Sequence, residues 1–267
     1  MRTASSRPRI LRLWVLVSLV AFFTLGPLAP VAFAIPAKVQ ECVFGSGVSG
    51  TTNPCTFVST VTSGNLVVCF GILSPGTTET VTFTDTATSP SNTYTNTSYT
   101  KDTLTPTTTM LSYSPNVNGG FTVVTATWSA AQNRRDIGCL EVSGLATSSP
   151  ADGFSANYQT ALTATGANVI TSNSITPTQN GDFLVGFTHN TDLNCIAVTA
   201  GTTVAWTMDT TANCNPRIEY LVQTTAASVA ATFGKDNASS LKFVTAIQAF
   251  KAASTVDVTK FRLRVNP

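Results

Sequence analysis

Alternation of apolar and hydroxyl side chains is the feature that most constrains the fold of this chain. The segment Thr80–Thr84 reads Thr-Val-Thr-Phe-Thr, and the segment Val124–Trp128 repeats the pattern. A period of two is that of a half-buried strand, whereas an amphipathic helix repeats every 3.6 residues. Threonine is β-branched and suits a pleated, partly exposed surface. The sequence therefore predicts an all-β protein.

Many other segments alternate in the same way or form short apolar runs between turn signals such as Asn180-Gly181-Asp182. The segment Leu241–Ala253 suits a helix by composition, but a strand buried on both faces is favoured there. The further predicted strands are Cys55–Thr62, Asn65–Leu73, Thr107–Ser114, Arg134–Ser143, Asn168–Thr176, Asp182–Thr188, Thr203–Met208, Arg217–Gln223, Ala227–Phe233 and Leu241–Lys251.

Twelve or more short strands exceed an immunoglobulin domain and predict a single antiparallel β-sandwich of jelly-roll or concanavalin-like type over residues 35–253. No repeat of 20–50 residues is evident, which argues against a propeller or solenoid. The stretch Thr86–Pro106 has few apolar residues and is predicted to be a long hairpin or loop. Residues 254–267 are predicted to be an extra edge strand or a tail that pairs with a neighbour.

Residues 1–34 have the three parts of a secretory signal peptide. Four arginines precede an apolar stretch from Leu13 to about Leu25, and Ala32-Phe33-Ala34 has the form of a cleavage site. An uncleaved membrane anchor is the alternative, but the apolar stretch is short for a span of ~20 residues. The sequence therefore predicts a secreted, extracellular protein that begins at Ile35 and has no membrane span after cleavage.

The charge balance of the mature chain excludes one class of partner. Cleavage removes four of the 15 basic residues, which leaves 11 against 13 acidic ones. A weakly acidic protein with no basic run is a poor candidate for binding nucleic acid. Charged residues make up only 10% of the chain, so its polar surface must consist mainly of hydroxyl and amide side chains.

Six cysteines in a secreted chain predict a disulfide framework. Six cysteines allow 15 connectivities, and the sequence does not choose among them. We expect two local bridges and one that joins two apolar strands across the core. A zinc site is the alternative, but there is no C-x-x-C motif and only one histidine. The expected pairs are Cys42–Cys55, Cys69–Cys139 and Cys195–Cys214.

Three segments, Val81–Thr95, Asn116–Ser129 and Cys139–Asp152, are similar to a loose group of secreted bacterial β-sandwich proteins with a concanavalin-like or jelly-roll appearance. The resemblance covers most of residues 60–253 and rests on turn and core patterns. It implies a fold and a compartment, and it carries no active site. The usual members of the group do not need these six cysteines.

Two motifs suggest catalysis or cofactor binding, each with a simpler explanation. Residues Gly45–Gly50 match G-x-G-x-x-G, but a dinucleotide loop needs a strand before it and a helix after it. A flexible or tight loop that needs glycine backbone angles is the simpler explanation. The only histidine, His189, could orient a hydroxyl nucleophile. No G-x-S-x-G elbow accompanies it, and a strand-end histidine bonded to a loop is the simpler interpretation.

Acidic residues suggest two further kinds of site. Asp182, Asn190 and Asp192 could bind Ca²⁺ through oxygen atoms, as could Asp85 with Asn92. The same residue types also stabilise turns, so no cofactor is expected except a possible Ca²⁺. A glycosidase needs two carboxylates about 5–10 Å apart. The pair formed by Glu141 and Glu219 is the candidate, with exposure on a polar face as the alternative.

Aromatic side chains provide the candidate ligand surface. Tyr94, Tyr99 and Tyr113 lie in or beside the threonine-rich hairpin and could stack on sugar rings. Trp128 and Trp206 lie in alternating strands and are predicted to belong to the core.

Three functions remain open. The first is a non-enzymatic extracellular protein that binds a surface glycan or contributes to a cell-envelope or matrix assembly. The second is a secreted carbohydrate-active hydrolase on a jelly-roll scaffold. The third is a structural subunit that associates with itself by strand exchange through its tail. The lack of a catalytic motif favours the first, and fold similarity does not rank them.

Overall fold

The computed structural model describes residues 32–46, 50–74, 80–87, 90–102, 107–132, 134–190, 198–202, 204, 206–208 and 217–255. Within these ranges the regular structure consists of strands, and none of the described segments forms a helix that could cross a membrane. The leader up to residue 31 and the tail from residue 256 lie outside the described residues. The expectations for cleavage and for tail pairing therefore stay predictions.

Eighteen strands are present in the described part of the chain. They are β1 (Ala32–Phe33), β2 (Ala37–Ser46), β3 (Gly50–Thr56), β4 (Leu66–Ser74), β5 (Val81–Asp85), β6 (Thr95–Asp102), β7 (Thr107–Ser114), β8 (Val123–Gln132), β9 (Arg134–Ser143), β10 (Ala151–Leu162), β11 (Gly166–Thr171), β12 (Phe183–Asn190), β13 (Val198–Ala200), β14 (Thr207–Met208), β15 (Arg217–Val222), β16 (Thr232–Lys235), β17 (Leu241–Phe250) and β18 (Ser254–Thr255).

The strands form several small sheets. Sheet I has the order β2-β9-β4-β7-β6, and sheet II has the order β3-β8-β5. Sheet III has the order β10-β17-β12-β15-β14, and sheet IV has the order β11-β16-β13, while β1 pairs with β18. The pairings within sheets I to IV are antiparallel. The predicted all-β, antiparallel class is confirmed, although the strands are divided among more sheets than the two of one sandwich.

The strand orders reveal an internal duplication. Adding eight to each strand number in sheets I and II gives the orders of sheets III and IV. The first half therefore comprises β2 to β9, and the second half comprises β10 to β17. Local details repeat as well, because Gly64 and Gly181 precede β4 and β12 with φ of 89° and 85°. Their amides donate to Val117 and Gln223 at 2.9 and 2.8 Å. The repeat is far longer than the periods considered in the sequence.

Three apolar cores separate the four sheets. The outer core of the first half lies between sheets II and I, and the outer core of the second half lies between sheets III and IV. A central core, formed by residues of both halves, lies between the two five-stranded sheets. Phe70 of β4 and Phe187 of β12 stack there with ring centroids 5.0 Å apart. Both five-stranded sheets are therefore covered on both faces.

Burial on both faces explains which strands the sequence predicted well. Every residue of β12 is buried, and β17 is buried along almost its whole length. The strand interpretation of Leu241–Ala253 is confirmed, as are the core positions of Trp128 and Trp206. The bounds of β7 and β9 match the prediction.

Several differences from the prediction concern more polar or shorter strands. The strand predicted over Cys55–Thr62 is present only at Cys55 and Thr56, which end β3, and residues 57–62 are irregular. The edge strands β2 and β10 were not predicted, because their polar side chains and β-bulges interrupt the alternation. The stretch Thr86–Pro106 contains β6, which pairs with β7. Of the strand predicted over Thr203–Met208, the described residues place Thr207–Met208 in β14, and residues 203 and 205 lie outside the described part of the chain.

Candidate functional site

Two buried carboxyls, Asp152 and Asp182, meet at one end of the second half. Asp152 lies at the start of β10 and Asp182 directly before β12, and both strands pair with the Phe250 end of β17. Asp182 is fully buried and Asp152 is 9% exposed. The Thr178 hydroxyl donates to Asp152 Oδ1 at 2.7 Å, and the Thr178 amide donates to Oδ2 at 2.6 Å. Lys251 Nζ lies 3.6 Å from Asp152 Oδ1. Asp152 was not identified as a candidate site residue in the sequence, because β10 was not predicted.

The two carboxyls differ in how readily they ionise. The Ala252 amide and the Gln179 side chain lie near Asp182 and favour its ionised form, although neither reaches its oxygens in good hydrogen-bond geometry. Its burial, and then the neighbouring Asp152 carboxylate, raise the pKa of Asp182 to about 7. Burial opposes ionisation of Asp152 too, but the hydrogen bonds from Thr178 and the charge of Lys251 lower its pKa on balance. The pair can therefore retain one proton on Asp182 up to about neutral pH.

Glu219 is a second buried carboxyl, in the outer core of the second half. It is fully buried on β15, and the Thr232 amide donates to its Oε1 at 2.9 Å. Its Oε2 has no partner in the described part of the chain. Burial raises the pKa of Glu219 to about 8, although backbone hydrogen bonds from Thr232 and Gly201 oppose the rise. Its side chain occupies space that Gly186 leaves open, since a Cβ on Gly186 would lie 2.9 Å from Glu219 Cγ.

The carboxylates proposed for glycoside hydrolysis do not form a pair. Glu141 accepts hydrogen bonds from Gln40 Nε2 at 2.6 Å, the Thr62 amide at 2.8 Å and Asn65 Nδ2 at 2.6 Å. It faces the outer core of the first half, whereas Glu219 faces the outer core of the second. Packed sheets lie about 10 Å apart, and the two side chains point away from each other. Both are also fully buried, so the alternative of an exposed polar face is wrong too.

The residues of the first predicted calcium site are not brought together. Asp182 precedes β12 and Asn190 ends it. At about 3.3 Å per residue, the eight-residue strand places them about 25 Å apart. Asp192 lies outside the described residues. Asp182 and Asn190 therefore cannot share one ion.

Asp85, the centre of the second predicted calcium site, is surrounded by hydrogen-bond donors. Its Oδ2 accepts from Asn92 Nδ2 at 2.9 Å and from the Tyr94 hydroxyl at 3.0 Å, and its Oδ1 accepts from the Ala87 amide at 3.0 Å. Asn92 also bonds the Asn118 backbone. These contacts anchor the chain around Asn92, which is the turn-stabilising alternative that the sequence allowed.

The three candidate tyrosines do not form one surface. Tyr94 packs against Phe83 with ring centroids 6.2 Å apart, and its burial followed by the Asp85 carboxylate raises its pKa above the ordinary range. Tyr113 lies in the central core, with its ring 5.2 Å from that of Phe250. The backbone of Tyr99 belongs to β6, but its side chain lies outside the described residues.

The two motifs that suggested catalysis or cofactor binding lie within or between strands. His189 is fully buried within β12 and is the register partner of Val244 on β17. It lies at the opposite end of β12 from Asp182. The glycine motif joins β2 to β3, and its residues 47–49 lie outside the described residues. A strand therefore follows the glycines where a dinucleotide site needs a helix.

Four cysteines of the first half form two disulfides. Cys42 is joined to Cys55 and Cys69 to Cys139, which are two of the three expected pairs. The Cys69–Cys139 bond links neighbouring strands of sheet I, β4 and β9, so the expectation that it crosses the core is wrong. The Cys42–Cys55 bond links sheet I to sheet II. Cys195 and Cys214 lie outside the described residues.

Three exposed apolar side chains lie on edge strand β2 or on the segments next to it. Ile35, Val39 and Val58 are 84%, 47% and 95% exposed, and they are the exposed large hydrophobics of the described part of the chain. Hydrogen bonds between Gln40 and Ser59 hold the segment that bears Val58 next to β2. We call Ile35, Val39 and Val58 the β2 patch.

Comparison of the chain with protein-family models, with curated proteins and with solved structures finds no match.

Proposed function

We propose that this chain is a secreted, non-enzymatic β protein that contributes to an extracellular or cell-envelope assembly through the β2 patch. We further propose that each half is a jelly roll. Numbered within a half, the strands have the order 1-8-3-6-5 in one sheet and 2-7-4 in the other. That is the jelly-roll order with the fifth strand moved to the edge beside the sixth.

An extracellular location is supported by two independent features. The first 34 residues have the pattern of a signal peptide. The two disulfides of the first half are consistent with an oxidising compartment.

The exposure of the β2 patch is the observation that carries the proposal. Isolated exposed apolar residues are ordinary, whereas neighbouring ones suggest a contact surface. Pro36 and the β-bulge between Lys38 and Gln40 interrupt the hydrogen-bonding edge of β2. Contact through side chains is therefore favoured over addition of a strand.

A second copy of this chain is the proposed occupant of the patch. Lys38 and Glu41 on β2 pair with each other, so these two residues add no net charge beside the patch. Two copies can then approach without repulsion between like charges. The glycan hypothesis ranks lower, because Tyr94 and Tyr113 are used in internal contacts. The hydrolase hypothesis is not supported by Glu141 and Glu219, because these two carboxylates face different cores and do not form a pair.

Sedimentation velocity of the oxidised mature chain, Ile35 to Pro267, tests the proposal over a concentration series. We expect reversible association that Val58→Asp abolishes. Thr147→Asp, at an exposed position in the loop between β9 and β10, is the matched control and should associate like the wild type. A chain that stays monomeric throughout would overturn the proposal. Saturable binding on a glycan array, with or without Ca²⁺, would then favour the glycan hypothesis.

A further inference from the structure

The four described cysteines form one continuous sulfur cluster. Cys42, Cys139 and Cys69 occupy a row across β2, β9 and β4, where Cys139 is the register partner of both others. Cys55 reaches the row from sheet II. The sulfur atoms of Cys42, Cys55 and Cys139 all lie within 4.8 Å of one another. The two disulfides are therefore neighbours.

The central position of Cys139 gives it a choice of partner. The Cα atoms of Cys69 and Cys139 are 4.1 Å apart, and Cys42 lies one strand spacing away on the other side, with its sulfur within 4.8 Å of that of Cys139. A thiolate exchanges with a disulfide when it can reach one of its sulfur atoms. We propose that the two disulfides form an exchange pair, in which reduction of Cys42–Cys55 allows the bond of Cys139 to move from Cys69 to Cys42.

The chemistry balances in two steps. A small dithiol first reduces the Cys42–Cys55 bond, becomes a cyclic disulfide and leaves two thiols on the protein. Cys42 is the entry point, since at 5% it is the most exposed of the four. Its thiolate then attacks Cys139 Sγ, so that the Cys42–Cys139 bond forms and the Cys139–Cys69 bond breaks. The electron pair leaves on Cys69 sulfur, which takes a proton from solvent. The second step involves no net oxidation or reduction.

Exchange changes what the disulfides hold together. The Cys42–Cys55 bond fastens sheet II to sheet I, whereas the Cys42–Cys139 bond joins two strands within sheet I. After exchange, both Cys55 and Cys69 are thiols, and no bond among these four cysteines crosses the outer core of the first half. Reduction therefore opens the link between the two sheets, and exchange keeps it open, because Cys42 is then bonded to Cys139 and can no longer pair with Cys55.

Two single variants test this proposal in the folded mature chain. Cys55→Ser leaves Cys42 as a thiol beside the Cys69–Cys139 bond, and we expect two isomers, with a free thiol on either Cys42 or Cys69. Cys139→Ser is the matched control, because it removes the central sulfur. Cys42 and Cys69 are then two strand spacings apart, and only Cys69 should be a free thiol. Both variants are equilibrated in a dilute glutathione buffer, unfolded and alkylated at once.

Peptide mapping after peptic digestion at low pH reports the labelled cysteines, since cleavage near Phe44, Phe57 and Phe70 separates them. Label on both Cys42 and Cys69 in Cys55→Ser supports the exchange pair, whereas label on Cys42 alone overturns it. Far-UV circular dichroism checks that each variant folds. If a variant does not fold, wild-type protein treated with limiting dithiol gives the same decision. A linked Cys42–Cys139 peptide is expected, and its absence at every extent of reduction overturns the proposal.

Discussion

The two halves share a strand order but fill equivalent positions with different chemistry. The row Cys42–Cys139–Cys69 of sheet I corresponds to the row Ser155–Ile247–Gly186 of sheet III, with the same cross-strand pairing. The next strand contributes Ser112 in the first half and Glu219 in the second. Disulfides thus link the strands around the outer core of the first half. At the equivalent place in the second half, the Glu219 carboxyl lies over Gly186.

The two halves also differ in how their buried polar groups are hydrogen-bonded. Asn65 and Asp182 follow the equivalent glycines before β4 and β12. Asn65 donates to Glu141, a carboxylate with three donors. Asp182 instead lies beside another carboxyl, and its neighbouring donors, the Ala252 amide and Gln179, do not reach it in good hydrogen-bond geometry. The same topology therefore carries two neighbouring disulfides in one half and two buried carboxyls of raised pKa in the other.

Truncation in the central core should have the largest effect, because that core belongs to both halves. We expect Phe187→Ala to lower the free energy of unfolding by about 3–5 kcal/mol, and Phe70→Ala to do the same. The two rings stack, so the double variant should lose less than the sum of the single variants. Denaturant unfolding measures all three, with Val58→Ala as an exposed control expected within about 0.5 kcal/mol of wild type. A loss below about 1 kcal/mol for Phe187→Ala would contradict packing of the halves through this pair.

Removal of the disulfides should weaken the first half by a similar amount. The Cys69–Cys139 bond spans 70 residues, and chain entropy predicts that Cys69→Ala with Cys139→Ala costs about 4 kcal/mol. The Cys42–Cys55 bond spans 13 residues, and its removal should cost about 3 kcal/mol. Urea unfolding of the two double variants without reductant compares the losses. Equal stability of both variants and wild type would show that the disulfides do not stabilise the first half.

The sequence predicted those parts of the fold that depend on local pattern. The strands β7 and β9 were predicted to the residue, because apolar runs and turn signals bound them. The duplication was not predicted, since the halves share hydrogen bonds and backbone angles rather than residues. Around β4 and β12 the common letters are few, as in Gly64-Asn65-Leu66 and Gly181-Asp182-Phe183. The juxtaposition of Asp152 and Asp182 depends on strand pairing through β17, which local patterns do not specify.

The carboxyl in the outer core of the second half should make stability depend on pH. Because the pKa of Glu219 is raised to about 8 in the folded chain, its contribution is complete below its unfolded pKa, near 4.5. That contribution is lost as the pH rises towards 8. Glu219→Gln should remove a slope of up to about 1.4 kcal/mol per pH unit over this range. Unfolding free energies measured from about pH 4 to 9 test this, with Glu41→Gln at the rim of the β2 patch as control. Parallel curves for wild type and Glu219→Gln would contradict it.

Asp182→Asn should have the smallest effect on stability. It gives the second half the residue type that Asn65 has at the equivalent position of the first half. The pKa of Asp182 is raised to about 7, so its contribution is present below about 3.8 and is lost as the pH rises to 7. An amide cannot ionise and can donate to Asp152, as Asn65 donates to Glu141. The variant should therefore lose less stability than wild type between about pH 4 and 7. Both proteins should respond alike above that range, where Glu219 still titrates. If the Asp182→Asn curve follows wild type throughout, the difference in ionisation between the halves resides in Glu219 alone.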